Sequence, residues 1–329
     1  MGPDFETLVA RHRREIQVHC YRMLGSLSDA EDLAQETFLR AWKARDGFEG
    51  RASARTWLYR IATNACLDVL ARRPRRVLPD QLGPSGEPDG PIAAVDLPWL
   101  EPYPDRLLDV VAPDDPGAAA VERETIELAY LAALQHLPPR QRATLVLRDV
   151  LGWSAKETAA QLETSVASAN SALQRARATL RERLPAHRAE WTAADPTATE
   201  TALLKRFIAA YEQGDPGAVA RLLHEDAQAV MPPYALWFGS RDAIVKALSL
   251  SMDPASPHCV GRFRMLPTRA NRQPAVATYL RRPGETRFRW FGVTLLTVEH
   301  GLVSAMAAFE SATAKAWDLP ETWPGDSAR

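Results

Sequence analysis

Nine of the chain's 25 prolines fall between residues 77 and 120, and no helix can run through them. The run "PDQLGPSGEPDGP" (79–91) adds Gly83, Gly86 and Gly90 and shows no apolar period. The chain must therefore fold as separate pieces on either side of this stretch. The same segment carries nine Asp/Glu against one Lys/Arg, a net −8 inside a chain whose total is −1. Residues 1–76 are net +4, residues 121–190 net +2 and residues 191–329 net +1. Two mildly basic modules thus flank an acidic linker, and a nearly neutral module follows. A flexible linker of this length would span about 36 Å. Within it, "LPWLEPYP" (97–104) holds two aromatics, which fits either a docking spot or a local turn packing Trp99. A second boundary lies near "TAADPTAT" (192–199).

A length of 329 residues accommodates two or three domains, and 46% hydrophobic residues can build their cores. No stretch of about 18 apolar residues is present, so no membrane span is expected. The N-terminus "MGPDFETLVARHRREIQ" is charged and lacks an apolar signal segment. Cys20, Cys66 and Cys259 lie far apart with no CxxC, which fits a reducing cytoplasm and buried thiols. Neither a metal nor a cofactor is expected from these spacings.

Residues 1–76 read as helices. Ser28 and Glu31 fit a capping box at the start of "SLSDAEDLAQETFLRAW" (26–42). Leu33, Ala34, Phe38, Ala41 and Trp42 then share one face, leaving a mixed polar face of Asp29, Glu31, Asp32, Gln35, Glu36 and Arg40. A further helix, "TWLYRIATNACLDVLARR", buries Leu58, Ile61, Ala62, Ala65 and Val69. In the loop and helix at 46–76, Arg51, Ser53, Thr56, Arg60 and Asn64 gather near Trp57 and Tyr59. Cations, amides and aromatics suit unpaired bases. Taken alone, the same residues read first as an ordinary core of Trp57 and Tyr59 with solvated arginines.

Residues 121–188 are also helical. The pattern breaks at Gly152-Trp153, and Ser154 with Glu157 caps a helix over 155–162. "ETS" (163–165) makes a three-residue turn, after which Val166, Ala169, Leu173, Ala176 and Leu180 face inward. This is helix-turn-helix geometry, with Glu163 where a glycine is usual. The outward positions of the second helix are Ala167, Ser168, Asn170, Ser171, Gln174 and Arg175. Asn and Gln suit adenine, Arg suits guanine, and Arg177, Arg181 and Arg183 can follow phosphates.

Residues 199–318 change to three helices followed by strand candidates at 260–266, 274–281, 286–298 and 302–310, with a short strand earlier and a hairpin turn at Gly301. Helices followed by a meandering sheet indicate α+β. Its candidate pocket residues are His224, Asp226, Tyr234, Trp237, Asp242, His258 and Asn271. No pair among them has a spacing that demands acid–base chemistry, so no catalytic residue is assigned.

The segments "DAEDLAQETFLRAW", "RASARTWLYRIATNACLDVLARR" and "LPPRQRATLVLRDVLGWSAKETAAQLETSVASANSALQRAR" resemble regions 2 and 4 of extracytoplasmic-function sigma factors of the sigma-70 family. Residues 200–318, with "LLHEDAQAVMPP", "PTRANRQPAVATY" and "FESA", resemble the SnoaL-like (NTF2-like) extension of some of these proteins. The resemblance implies a multidomain fold: two all-α sigma domains (1–76 and 121–190), the Pro-rich acidic linker (77–120) and an α+β cone (195–320). It implies docking on core RNA polymerase, at the β′ clamp helices and β flap, with Asp32, Gln35, Glu36 and Arg40 at the clamp contact. Arg51, Ser53, Thr56, Arg60 and Asn64 would take the −10 element. Ser168, Asn170, Ser171, Gln174, Arg175 and Arg177 would read the −35 element. The extension would act through a small-molecule ligand or by docking within the chain. No anti-sigma factor is specified. Two other readings stay open from the residues alone. One is a ligand-sensing transcription factor that binds DNA without polymerase; the other is a cyclase- or isomerase-type enzyme with a regulatory N-terminus.

Overall fold

The computed structural model describes residues 4–48, 53–91, 93–108, 125–184, 198–310 and 314–323. The chain forms two compact units, each assembled from two stretches: Met1–Arg76 with Leu107–Thr192, and Val77–Arg106 with Ala193–Arg329. No helix among the described residues is long and apolar enough to cross a membrane.

The first unit is all-helical. Helices α1 (Asp4–Leu24), α2 (Leu27–Ala44) and α3 (Ala54–Leu70) close around Ile16, Tyr21, Met23, Phe38, Leu58 and Ala62. Ser26 rather than Ser28 caps α2, its side chain accepting from Asp29 N at 3.1 Å. The helix therefore starts earlier than the S-x-x-E spacing predicts, and Ser28 lies inside its first turn. Phe38 is buried as expected, but Trp42 is 46% exposed. In α3, Tyr59, Thr63 and Cys66 are buried while Ile61 and Val69 are only half-buried. The inward stripe of α3 is thus rotated toward the residues flanking the predicted one.

Helices α4 (Leu128–Gln135) and α5 (Pro139–Leu145) follow, α5 running into a π turn at Val146–Val150. Helices α6 (Ala155–Gln161) and α7 (Val166–Arg183) complete the unit. The capping box of α6 forms as expected between Ser154 and Glu157. Arg142 of α5 is 2% exposed, and its guanidinium donates to Met23 O at 2.5 Å, Gln135 Oε1 at 2.9 Å and Gln135 O at 3.2 Å. One buried cation thereby ties the end of α1 to the α4–α5 corner. Burial lowers its pKa to about 10.

The second unit is α+β. Helices α8 (Ala198–Gln213), α9 (Pro216–Ala220) and α10 (Arg241–Met252) pack on a six-stranded sheet. Its strands are β1 (Leu223–Val230), β2 (Trp237–Phe238), β3 (Arg262–Ala270), β4 (Gln273–Arg281), β5 (Arg289–Glu299) and β6 (Leu302–Glu310), in the order β2-β1-β6-β5-β4-β3. Strand β1 runs parallel to β6 and the other pairs are antiparallel. Leu203, Phe207, Val219, Ile244, Val276 and Leu296 lie in its core. The β5–β6 turn places both His300 and Gly301 at positive φ, and the β3–β4 turn does the same with Asn271 and Arg272. These two-residue turns suit the right-handed strand twist.

Most of the linker segment belongs to this second unit. Residues 77–106 are not a free tether: Trp99, Leu100, Tyr103 and Asp105 are buried. Tyr103 N donates to Asn271 Oδ1 at 2.8 Å, and Asn271 N returns a bond to Tyr103 O at 2.9 Å. Asp105 accepts from Arg269 Nε at 3.2 Å and from Arg272 N at 2.8 Å. Arg106 donates to Ala316 O at 2.7 Å. Proline and glycine content correctly excluded a long helix, but the extended backbone finds its partners on the sheet domain instead of in water.

Candidate nucleic-acid interface

Three surfaces of the helical unit carry the residues singled out by sequence. On α2, Asp32, Gln35 and Arg40 are exposed and Glu36 is half-buried. Glu36 accepts from Arg40 Nε at 2.8 Å, and Arg40 also lies 3.7 Å from Asp68. An exposed i,i+4 pair of this kind contributes only about 0.3–0.5 kcal/mol, so it leaves the charges available to another molecule. Between these polar groups Leu39 is 56% exposed, and Trp42 completes an apolar strip. Trp42 is held by Phe5 (ring centroids 5.0 Å apart) and by the Arg45 guanidinium 3.9 Å over its ring. Apolar groups ringed by mixed charge match a protein-docking patch better than a phosphate-binding one.

The second surface is the start of α3. Ser53 caps the helix, accepting from Thr56 N at 3.1 Å, and its hydroxyl lies 2.9 Å from that of Thr56. Arg51 lies outside the described residues. Trp57 is half-buried against Phe48, ring centroids 4.7 Å apart. Tyr59 turns inward instead: its hydroxyl donates to Glu15 Oε2 at 3.1 Å, and burial pushes its pKa up. It is core, as the bland reading of the sequence had it. Arg60 and Asn64 are exposed one turn apart, and both are engaged by Gln161 at the end of α6. Arg60 Nε donates to Gln161 Oε1 at 3.2 Å, and Gln161 Nε2 donates to Asn64 Oδ1 at 2.8 Å and Arg60 O at 3.2 Å. Gln161 itself is 6% exposed. Sequence reasoning missed it, although it lies three residues after Thr158 on the inward stripe of α6.

The third surface is α7. Ala169, Leu173, Ala176 and Leu180 are buried, which fixes the opposite face. Ser168, Asn170, Ser171, Gln174 and Arg175 all lie exposed on it. Ser165 caps the helix, accepting from Ser168 N at 3.1 Å, and Glu163 takes the left-handed turn position with φ 47°. Val166 departs from expectation and is 45% exposed, because it sits in the first turn ahead of the packed stripe. Arg177 is held by Asp149, with Nη2 to Oδ1 at 2.7 Å and Nε to Oδ2 at 2.8 Å. Of the six α7 residues proposed from sequence, it alone has a bidentate acidic partner on the described surface.

The pocket residues proposed for the second unit scatter. His224 and Asp226 point outward on β1, and Asp242 is exposed beside Ser240, whose side chain caps α10. Asn271 is used by Tyr103, and the Tyr234 hydroxyl donates to Glu310. Trp237 Nε1 donates to Gly83 O at 2.9 Å. His258 alone of the seven lines the domain's cavity. Trp317 and Trp323 pack on their own domain: Trp317 is buried, and the Trp323 ring meets Tyr279 edge-on at 5.3 Å.

Comparison with known proteins agrees with this layout. The family described as Sigma-70 region 2 matches residues 8–76, and that described as Sigma-70, region 4 matches residues 127–180. The ECF RNA polymerase sigma factor SigG of Mycobacterium tuberculosis (strain H37Rv) is 45% identical over 94% of this chain and 82% of its own. SigJ of the same strain is 30% identical over 68% of this chain and 62% of its own. The crystal structure of M. tuberculosis SigJ aligns with a TM-score of 0.58 at 23% identity, covering 97% of this chain and 98% of that one, which establishes likeness of fold. The two helical sigma regions, with 45% identity to SigG across most of both chains, place this chain among the extracytoplasmic-function RNA polymerase sigma factors, the sigma-70-type proteins of promoter-specific transcription initiation.

Proposed function

We propose that the chain docks on core RNA polymerase through α2, with Asp32, Gln35, Glu36 and Arg40 around Leu39 and Trp42 meeting the β′ clamp helices and the region-4 helices meeting the β flap. Arg51, Ser53, Thr56, Arg60 and Asn64 capture the −10 element. Ser168, Asn170, Ser171, Gln174 and Arg175 read the −35 element in the major groove, and Arg177 reaches a phosphate by exchanging Asp149 for it. The NTF2-like domain modulates this activity. The observation that carries the reading is the division of α7: four buried apolar residues hold five polar side chains outward on the second helix of a capped helix-turn-helix.

The clasp of Gln161 on Arg60 and Asn64 adds a condition. Gln161 occupies Arg60 Nε and Asn64 Oδ1, so on this reading a base that needs those two atoms must displace it. Run-off transcription with purified core enzyme, on promoters selected by the protein, tests the proposal. A specific start that depends on the chain is expected; absence of both polymerase binding and a specific start overturns it. A gel shift with and without core enzyme separates this reading from a transcription factor acting alone.

A further inference from the structure

The second unit holds a partly open cavity of about 150 Å³ between the sheet and helices α8 and α10. Val230, Phe238, Leu248, Phe263, Met306 and Phe309 supply apolar walls, and among the described residues no Asp, Glu, Lys or Arg lines it. Strand β4 shifts register between Thr278 and Tyr279, opposite Gly292 of β5. A Cβ on Gly292 would stand 2.0 Å from Phe309 O, so only glycine allows this approach beside the cavity. Thr278 lines the cavity, is 4% exposed, and its hydroxyl has no hydrogen-bond partner among the described residues. A buried hydroxyl left unpaired in an apolar chamber is costly and marks the point where a guest's polar group would sit.

One wall of the cavity comes from elsewhere in the sequence. Pro88, in the strap of residues 77–106, lines it. The strap is fastened on both sides of Pro88. Gly86 N donates to Trp237 O at 2.9 Å, and Val95 N donates to Pro233 O at 3.0 Å. Lys246 of α10 lies 3.5 Å from Asp89, and the Gly86 backbone lies so close to Leu236 that a Cβ there would be 2.4 Å from its Cδ1. Leu236 and Phe238, next to those fastenings, are themselves cavity walls.

We propose that this cavity binds a small neutral apolar molecule bearing one hydrogen-bonding group, of the size of a phenol, and that residues 83–90 form its lid. A chamber of this size accepts a benzene-sized guest. With no Asp, Glu, Lys or Arg among the lining residues and His258 the one imidazole, a neutral guest is favoured over a carboxylate or an ammonium group. Thr278 supplies the polar contact, donating to a carbonyl or accepting from a hydroxyl. Pro88 supplies one wall, so a guest contacts the docked strap and binds that state more tightly than the released one. Occupancy and strap docking are therefore linked, each favouring the other. The lid is also the segment joining the polymerase-docking module to the −35-reading module, so a guest in the cavity holds that connection fixed.

The test uses the full chain without polymerase or promoter, so its outcome is independent of the proposed initiation function. Calorimetric titration with phenol is expected to show saturable one-to-one binding, with toluene about fivefold weaker, one net hydrogen bond's worth, and benzoate not bound. Thr278→Val removes the unpartnered hydroxyl at constant shape. It is expected to equalise phenol and toluene while leaving the melting temperature unchanged or raised. Hydrogen exchange at the Gly86 and Val95 amides is expected to slow with phenol, and Pro88→Ala to weaken that slowing and raise the phenol Kd several-fold. Absence of saturable phenol binding, or equal binding of all three probes by the unmodified chain, overturns the site. Binding that leaves both amides exchanging at their original rates overturns the lid.

Discussion

His19 shows how one side chain sets a pH response. Its ring is fully buried, and Thr63 Oγ1 lies 3.0 Å from its Nε2 while itself donating to Tyr59 O. Thr63 must therefore accept from Nε2–H, which leaves Nδ1 as the bare nitrogen, and Nδ1 has no partner among the described residues. Burial, with help from Arg22 and Arg55, lowers its pKa to about 3. The ring stays neutral in the folded state but gains a proton on unfolding below about pH 6.5. Stability thus falls as pH drops from about 6.5 toward about 3, by at most about 1.4 kcal/mol per unit. His19→Gln keeps a donor for Thr63 and removes the titration, so its urea midpoint should change less between pH 7 and pH 5 than that of the unmodified chain. Arg142 makes a second residue-scale prediction. Replacing it with Met strands the carbonyls of Met23 and Gln135, and denaturant melts should show a loss of about 1–3 kcal/mol. The exposure of Trp42 was not legible in the sequence, because periodicity places it beside Phe38 while the contacts with Phe5 and Arg45 leave half of its surface free.

At the scale of elements, caps and stripes carried most of the information. Ser154 with Glu157 and the Ala169–Leu173–Ala176–Leu180 stripe were readable because each depends on neighbours within one or two turns. The clasp between α3 and α6 was not, because it joins residues about a hundred positions apart. Gln161→Ala should release Arg60 and Asn64. Binding of a single-stranded −10 oligonucleotide by the free chain should then strengthen about fivefold in fluorescence anisotropy, one net hydrogen bond's worth. On α7, Gln174→Ala should relax selection at one −35 position by about 1–3 kcal/mol if its base contact is bidentate. Selection from randomised sites reads this directly, and uniform weakening would mean a phosphate contact instead. On α2, Glu36→Lys reverses charge on an exposed face. It should weaken core polymerase binding in a pull-down while leaving the helical circular dichroism signal intact.

For the whole molecule, charge and proline content marked out the modules but not the partner of residues 77–106. The aromatics of "LPWLEPYP" were the visible sign of docking, and Asn271, Arg269 and Arg272, which receive that segment, lie more than 160 positions away. A chain ending at residue 190 keeps Trp99, Leu100 and Tyr103 but loses the sheet that covers them. Limited proteolysis should cut it within 77–106 far sooner than the full chain. The path of the polypeptide has a temporal consequence. A ribosome finishes the strap long before it makes the strands on which the strap lies, and segments fold roughly in their order of emergence. Both promoter-reading modules can therefore be complete while the thread between them is loose, and that thread would reach about 100 Å if drawn out straight. Only the last third of translation supplies the strands that dock it, so a prematurely terminated product would carry both helical modules with an undocked thread between them.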